Sequence, residues 1–218
     1  MPESPGEIFS PNRAIDAAIK EMLPQFSETS QRRMKKAIYD AGKAAQKYRD
    51  ENTDAGARHI FREFIAASVL NRCGYRLDYN EPIDGKTPDW LDLTSGLLIE
   101  SYTFERGGIS SYRDRVKSAI AMKCSSYRDI ISAHSLRFVV SVYLDFLTGM
   151  SLEECYEDRA VFRAAFDDHE SLWGVLFFTE QLPGIPIGGT AYGFLCLTAD
   201  SEFERMPNWK ILSQCVYN

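Results

Sequence analysis

Two carboxylates and a lysine are the side chains whose types and spacing could do chemistry together. Asp89 opens a strand-like segment, Asp89–Leu93, and Glu100 falls within the next, Leu97–Phe104, with Thr94-Ser-Gly96 as the turn that brings the two strands side by side. Side chains alternate along a strand, so Leu98, Glu100, Tyr102 and Phe104 share a face, and Glu100 is a carboxylate in an apolar row. Such a group needs a metal ion or a basic side chain beside it. Asp89 and Glu100 together suit Mg²⁺ (or Mn²⁺), which takes oxygen from one or two carboxylates and keeps water and substrate phosphate as its other ligands. The helix that follows offers the basic alternative. On it Tyr112, Val116, Ala119, Ile120, Tyr127, Ile130 and Ile131 form an apolar stripe, and Lys123 lies near its centre. Lys123 either snorkels to water or pairs with Glu100 or Asp89, and the carboxylates on the preceding strands favour pairing.

These residues need a scaffold. The chain has 218 residues, 44% of them hydrophobic and 26% charged, enough for one sizeable core. No apolar run approaches the ~20 residues of a membrane helix. Met1-Pro-Glu-Ser-Pro-Gly-Glu lacks the basic then apolar order of a secretory signal, which predicts a cytoplasmic protein. The five cysteines (Cys73, Cys124, Cys155, Cys196, Cys215) form no CxxC pair, and His59, His134 and His169 stand at no metal-ligand spacing with one another, so structural zinc and a histidine-led mechanism are not expected. Net charge is -6. That average hides an asymmetry: residues 31–50 carry seven basic and two acidic residues, and residues 145–204 carry two basic and twelve acidic. The basic helix is either a solvated face or a surface for phosphate.

Element by element, Asn12–Leu23 and Ser30–Glu51 read as two helices of an N-terminal helical extension (residues 1–52). Ala55–Cys73 reads as a third helix, closed by Gly74 and apolar on more than one side. Strands are expected over Arg76–Glu81, Asp89–Leu93 and Leu97–Phe104, a long helix over Tyr112–Ala133, and a central strand over Leu136–Phe146. A capping box, Ser151-Leu-Glu-Glu154, opens a helix to about Phe166, and Leu172–Thr179 and Ala191–Leu197 are the last two strands. The order predicts an α/β domain with a mixed sheet and helices on both faces.

With this order in place, Pro88-Asp89 followed by Glu100 resembles the signature of the PD-(D/E)xK, or restriction-endonuclease-like, nuclease superfamily, over roughly residues 55–200. The resemblance implies a helix-strand-strand-strand-helix-strand (αβββαβ) core within residues 53–218, Mg²⁺-dependent hydrolysis of phosphodiester bonds, and nucleic acid, DNA first, as partner. It maps the acid of the first helix onto Glu63, a further metal ligand beside Asp89 and Glu100; Glu63 is otherwise a surface glutamate next to Arg62. Lys123-Cys-Ser-Ser-Tyr127 is similar to the QxxxY helix motif of the RecB-type branch, with lysine for glutamine. Tyr127 would fix the lysine, touch phosphate, or simply fill the core.

One position departs from the family. The catalytic lysine two residues after the strand acid is replaced: the chain reads Glu100-Ser101-Tyr102. Lys123 is then the relocated catalytic lysine, with Lys86 a second candidate. The expected catalytic set is Glu63, Asp89, Glu100 and Lys123. Two alternatives stay open: a catalytically inactive nuclease-fold protein that binds nucleic acid or a protein, and an unrelated α/β protein with a ligand pocket at Pro183–Gly189. A homodimer would also fit the family. Glu204–Trp209 is expected to cap the sheet or meet a partner.

Overall fold

In the computed structural model the chain is described over residues 19–48, 55–72, 74–103, 111–144, 152–179 and 193–198. The Pro183–Gly189 loop, the Glu204–Trp209 segment, and the residues at and before Ala18 lie outside these limits. The helices are α1 (Glu28–Tyr48), α2 (Ala55–Arg72), α3 (Tyr112–His134), α4 (Leu152–Glu157) and α5 (Arg159–Asp168). The strands are β1 (Asp78–Tyr79), β2 (Trp90–Asp92), β3 (Leu97–Thr103), β4 (Arg137–Tyr143), β5 (Leu172–Thr179) and β6 (Gly193–Thr198).

The strands form one open mixed sheet in sequence order. β1, β2 and β3 make an antiparallel meander, β3, β4 and β5 run parallel, and β6 returns antiparallel to β5. Parallel neighbours need a crossover long enough to hold a helix, and α3 supplies it between β3 and β4, α4 and α5 between β4 and β5. Helices therefore cover both faces. On one, Phe64, Ile65 and Leu70 of α2 and Met34 and Ile38 of α1 pack with Trp90, Leu97, Ile99, Val139 and Tyr143. On the other, Val116, Ile120, Tyr127 and Ile131 of α3 and Phe162 of α5 pack with Leu98, Phe138, Val140, Val142 and Phe177. β4 is apolar without alternation because both of its faces are buried. Among the described residues no helix is long and apolar enough to cross a membrane.

The helices expected as an N-terminal extension share the first of these cores through Ile19, Met22, Leu23, Phe26, Met34 and Ile38. Phe26 meets Trp90 at 5.0 Å, and Tyr79 and Phe64 close round the same indole at 4.9 and 6.0 Å. Trp90 is fully buried; truncating it to alanine would cost about 3–5 kcal/mol.

Two of the departures from the expected bounds have a cause in the structure. β1 is shorter than Arg76–Glu81, because Asn80 turns left-handed (φ 49°) and Pro82 follows. The helix expected from Ser151 to Phe166 breaks at Asp158, whose carboxylate is held by Arg113 of α3 at 2.6 Å through two bonds and so does not cap α5.

Candidate active site

The β2–β3 hairpin positions the first two residues. Its register pairs Trp90 with Ile99, which places Asp89 beside Glu100 and Ser101 on the neighbouring strand. Each carboxylate takes a backbone amide across the pair: Asp89 N donates to Glu100 Oε1 (3.1 Å), and Ser101 N donates to Asp89 Oδ2 (2.6 Å). The two acids are thereby fixed against each other by main chain, which cannot rotate away as a side chain could. Glu100 is 4% exposed, on the face toward α3. From α3, the Lys123 ammonium donates to Glu100 Oε2 at 2.5 Å. Lysine in the apolar stripe is thus paired, with its head at the edge of solvent. Tyr127, one turn on, is buried against Phe138, ring centroids 5.9 Å apart, and its hydroxyl also reaches Glu100. Tyr127 thus fills the core as expected, and its polar contact is with Glu100.

Glu63 comes from the other face. It is 6% exposed, in line with buried Ala67 and Leu70, so it is no surface glutamate. Tyr79 donates its hydroxyl to Glu63 Oε2 (3.2 Å), and His59, one turn earlier on α2, lies 3.2 Å from Oε1 through Nε2 while its Nδ1 meets Thr103 Oγ1 at 2.9 Å. His59, Tyr79 and Thr103 were not picked out from sequence. The i, i+4 spacing of His59 and Glu63 was the available signal.

The electrostatics link the two faces. The Asp89 carboxyl is held well above the usual carboxylate range, first by burial, then by the negative charge of Glu63 and of Glu100, against which the Ser101 amide and Lys123 pull the other way. Burial opposes the Lys123 ammonium, but Glu100, Asp89 and Glu63 outweigh it and hold the lysine above its ordinary value. His59 is raised by its hydrogen bond to Glu63, with Asp89 adding to the effect. The three carboxyl groups, Lys123 and His59 thus form one electrostatic cluster.

Tyr102 shares the α3-side core with Tyr112 and Phe166, filling the position two residues after Glu100. Lys86 sits in the Ile83–Lys86 turn, exposed, with its ammonium 6.0 Å from the Tyr127 ring centre rather than on a carboxylate. Among the described residues, no group of three or more His, Cys, Asp and Glu side chains is set closely enough to hold a metal ion by itself. A cavity of about 560 Å³, lined by Gln25, Phe26, Asn71, Tyr75, Arg76 and Asp78, opens at the opposite end of the hairpin and is no part of this cluster.

At that opposite end Asp92 is 3% exposed and accepts backbone amides from Arg76 (2.8 Å), Thr94 (2.9 Å) and Ser95 (3.0 Å). Burial works against its charge, but these bonds outweigh it and the carboxyl is held below the usual range. No protein-family model, curated protein or solved structure matches the chain.

Proposed function

We propose that the protein is a metal-dependent nuclease that hydrolyses phosphodiester bonds in DNA, a divergent restriction-endonuclease-like member of the PD-(D/E)xK superfamily with Lys123 serving in place of the strand lysine. The observation that carries this is the locked pair of Asp89 and Glu100, with the Lys123 ammonium brought to Glu100 by the next helix. The element order, helix, three-stranded meander, helix, parallel strand, is the one the resemblance implies.

The donor set fits a hard divalent cation such as Mg²⁺: oxygen only, carboxylate in type, and carrying a repulsion, visible in the raised Asp89 carboxyl, that a cation would relieve. Asp89 and Glu100 would hold the ion, with Glu63 contributing directly or through water. When bound, it would supply Lewis acidity toward a phosphoryl oxygen and toward water. The chain's own groups do the rest. Lys123 stays protonated and offers fixed positive charge to the phosphate as negative charge builds on it. Asp89 N and the Tyr127 hydroxyl orient Glu100, while Tyr79 and His59 hold Glu63.

A second reading, an inactive nuclease-fold binding module, draws on Tyr102 in the lysine's position and on the ion pair that already occupies Glu100. One experiment separates the two. Mg²⁺ or Mn²⁺ is titrated calorimetrically into wild type and Asp89→Ala, and both are assayed on linear, circular and single-stranded DNA. The nuclease requires metal uptake and cleavage that both disappear in the variant. A wild type that binds DNA but neither takes up metal nor cuts it is the binding module.

A further inference from the structure

We infer that the solvent face of α1 is a track for single-stranded nucleic acid. Arg32, Lys36, Tyr39 and Lys43 follow one another at i, i+4, i+7 and i+11 and are all exposed, so they form a continuous stripe along the helix. The opposite face is spent on packing, through Met34 and Ile38, and Arg33 is turned aside to Glu81 and the Tyr79 carbonyl. The stripe is therefore not needed to hold the helix down. Its charge opposes that of a chain whose net charge is -6. A polyanion is the partner such a stripe attracts.

Tyr39 decides which polyanion. It is 54% exposed, one of three large hydrophobic side chains so exposed among the described residues, and the Lys43 ammonium lies over its ring at 4.4 Å. An aromatic ring flanked by cations suits unpaired bases, which stack on it while their phosphates meet the charges; a duplex keeps its bases stacked inside. Among the described residues Lys36 is paired with exposed Asp40 (2.7 Å) and Arg32 with Thr29 (3.4 Å), contacts that a phosphate can replace.

The start of α1 is anchored on the end of α2, where Ser68 and Asn71 donate to Gln25, so the helix that carries the stripe is held to the sheet by its other face. This inference rests on the nucleic-acid part of the proposed function, but binding and cleavage are tested apart.

Fluorescence anisotropy of a labelled oligothymidylate is measured in EDTA over a series of salt concentrations, for wild type, Tyr39→Ala, and the triple variant Arg32→Ala/Lys36→Ala/Lys43→Ala, each checked for an unchanged melting curve. Three lost phosphate contacts should lower the slope of log K against log salt by about 2. Tyr39→Ala should weaken binding about tenfold with the slope unchanged. Equal binding by all three proteins, no binding by wild type at low salt, or tighter binding of a duplex that is indifferent to Tyr39 would overturn the inference. So would retention by phosphatidylserine vesicles with the same residue dependence and no oligonucleotide binding. If wild type binds the oligonucleotide in EDTA with this residue dependence but cuts nothing with any metal, the track stands and the nuclease fails.

Discussion

The two ends of the β2–β3 hairpin each carry a carboxylate from the same short segment, and they are built in opposite ways. At the turn end, Asp92 has three backbone amides, and its carboxyl is held low. At the open end, Asp89 has one amide and two carboxylates, and is held high. Asp92 satisfies the chain around it, while Asp89 is buried beside two other carboxylates. The difference separates an acid that serves the fold from one set among like charges, although Asp89 just precedes β2 and Asp92 ends it, three residues apart in number.

The sharpest way to break this comparison is Asp92→Ala. Removing a buried acceptor of three amides should cost about 3 kcal/mol of stability, read from the urea midpoint, with metal uptake unaltered in whatever remains folded. An effect below ~1 kcal/mol would mean that water replaces the carboxylate and that Asp92 does not hold the turn.

Next in size is Lys123→Ala. It leaves Glu100 buried without its cation, which would cost 3–5 kcal/mol in a sealed pair; because the lysine side chain is 22% exposed, about 2 kcal/mol is expected. Magnesium should return part of that loss by taking the lysine's place on Glu100, while cleavage stays absent. A variant as stable as wild type, or one that magnesium leaves unchanged, would show that Lys123 is not balancing the carboxylates.

Asp89→Asn should move the other way, gaining about 1 kcal/mol at neutral pH, since the amide keeps an oxygen for Ser101 N and sheds the repulsion. The pH dependence of the two ends is opposite in sign. Asp89 has a folded pKa above its unfolded one, so its contribution is complete below about pH 4 and is lost as pH rises through the raised value. Asp92 has a depressed folded pKa; its contribution is present above about pH 4 and is lost as pH falls through the lowered value. Stability curves of wild type minus each variant, measured by urea melts from acid to mild alkali, should slope in opposite directions. Parallel slopes would erase the distinction between the ends.

The smallest effect belongs to His59→Gln. The ring is 46% exposed and Glu63 keeps the Tyr79 hydroxyl, so stability should change by less than about 0.5 kcal/mol. Cleavage should fall further than stability does, because Glu63 loses one of its two restraints. A turnover identical to wild type would remove His59 from the site.

Much of this was legible in the sequence. β5 has the bounds expected for it, Leu172–Thr179, and α3 differs by one residue, because an apolar, aromatic-rich run and a capped helix of this length leave the backbone little choice. The pairing of Lys123 followed from its position in an apolar stripe next to strand acids. What sequence could not give was distance across the sheet. Nothing in the sequence set Asp92 apart, since its role depends on the Arg76 amide arriving from a separate segment. His59 looked isolated because Thr103 reaches it only when α2 is laid over β3. The break at Asp158 was hidden for the same reason: Arg113, the residue that takes its carboxylate, is far away along the chain.

β1 lies at one edge of the sheet, where unpaired backbone groups invite a strand from another molecule. In this chain that invitation is withdrawn. Ser30 Oγ accepts the Tyr79 amide at 2.9 Å, Arg33 donates to the Tyr79 carbonyl at 3.2 Å, and Asp78 takes the Ser27 and Ser30 hydroxyls at 2.5 and 2.8 Å. The first turns of α1 thus act as a stopper on the sheet, and a protein that keeps them folded has no free ladder on this side from which amyloid-like growth could begin.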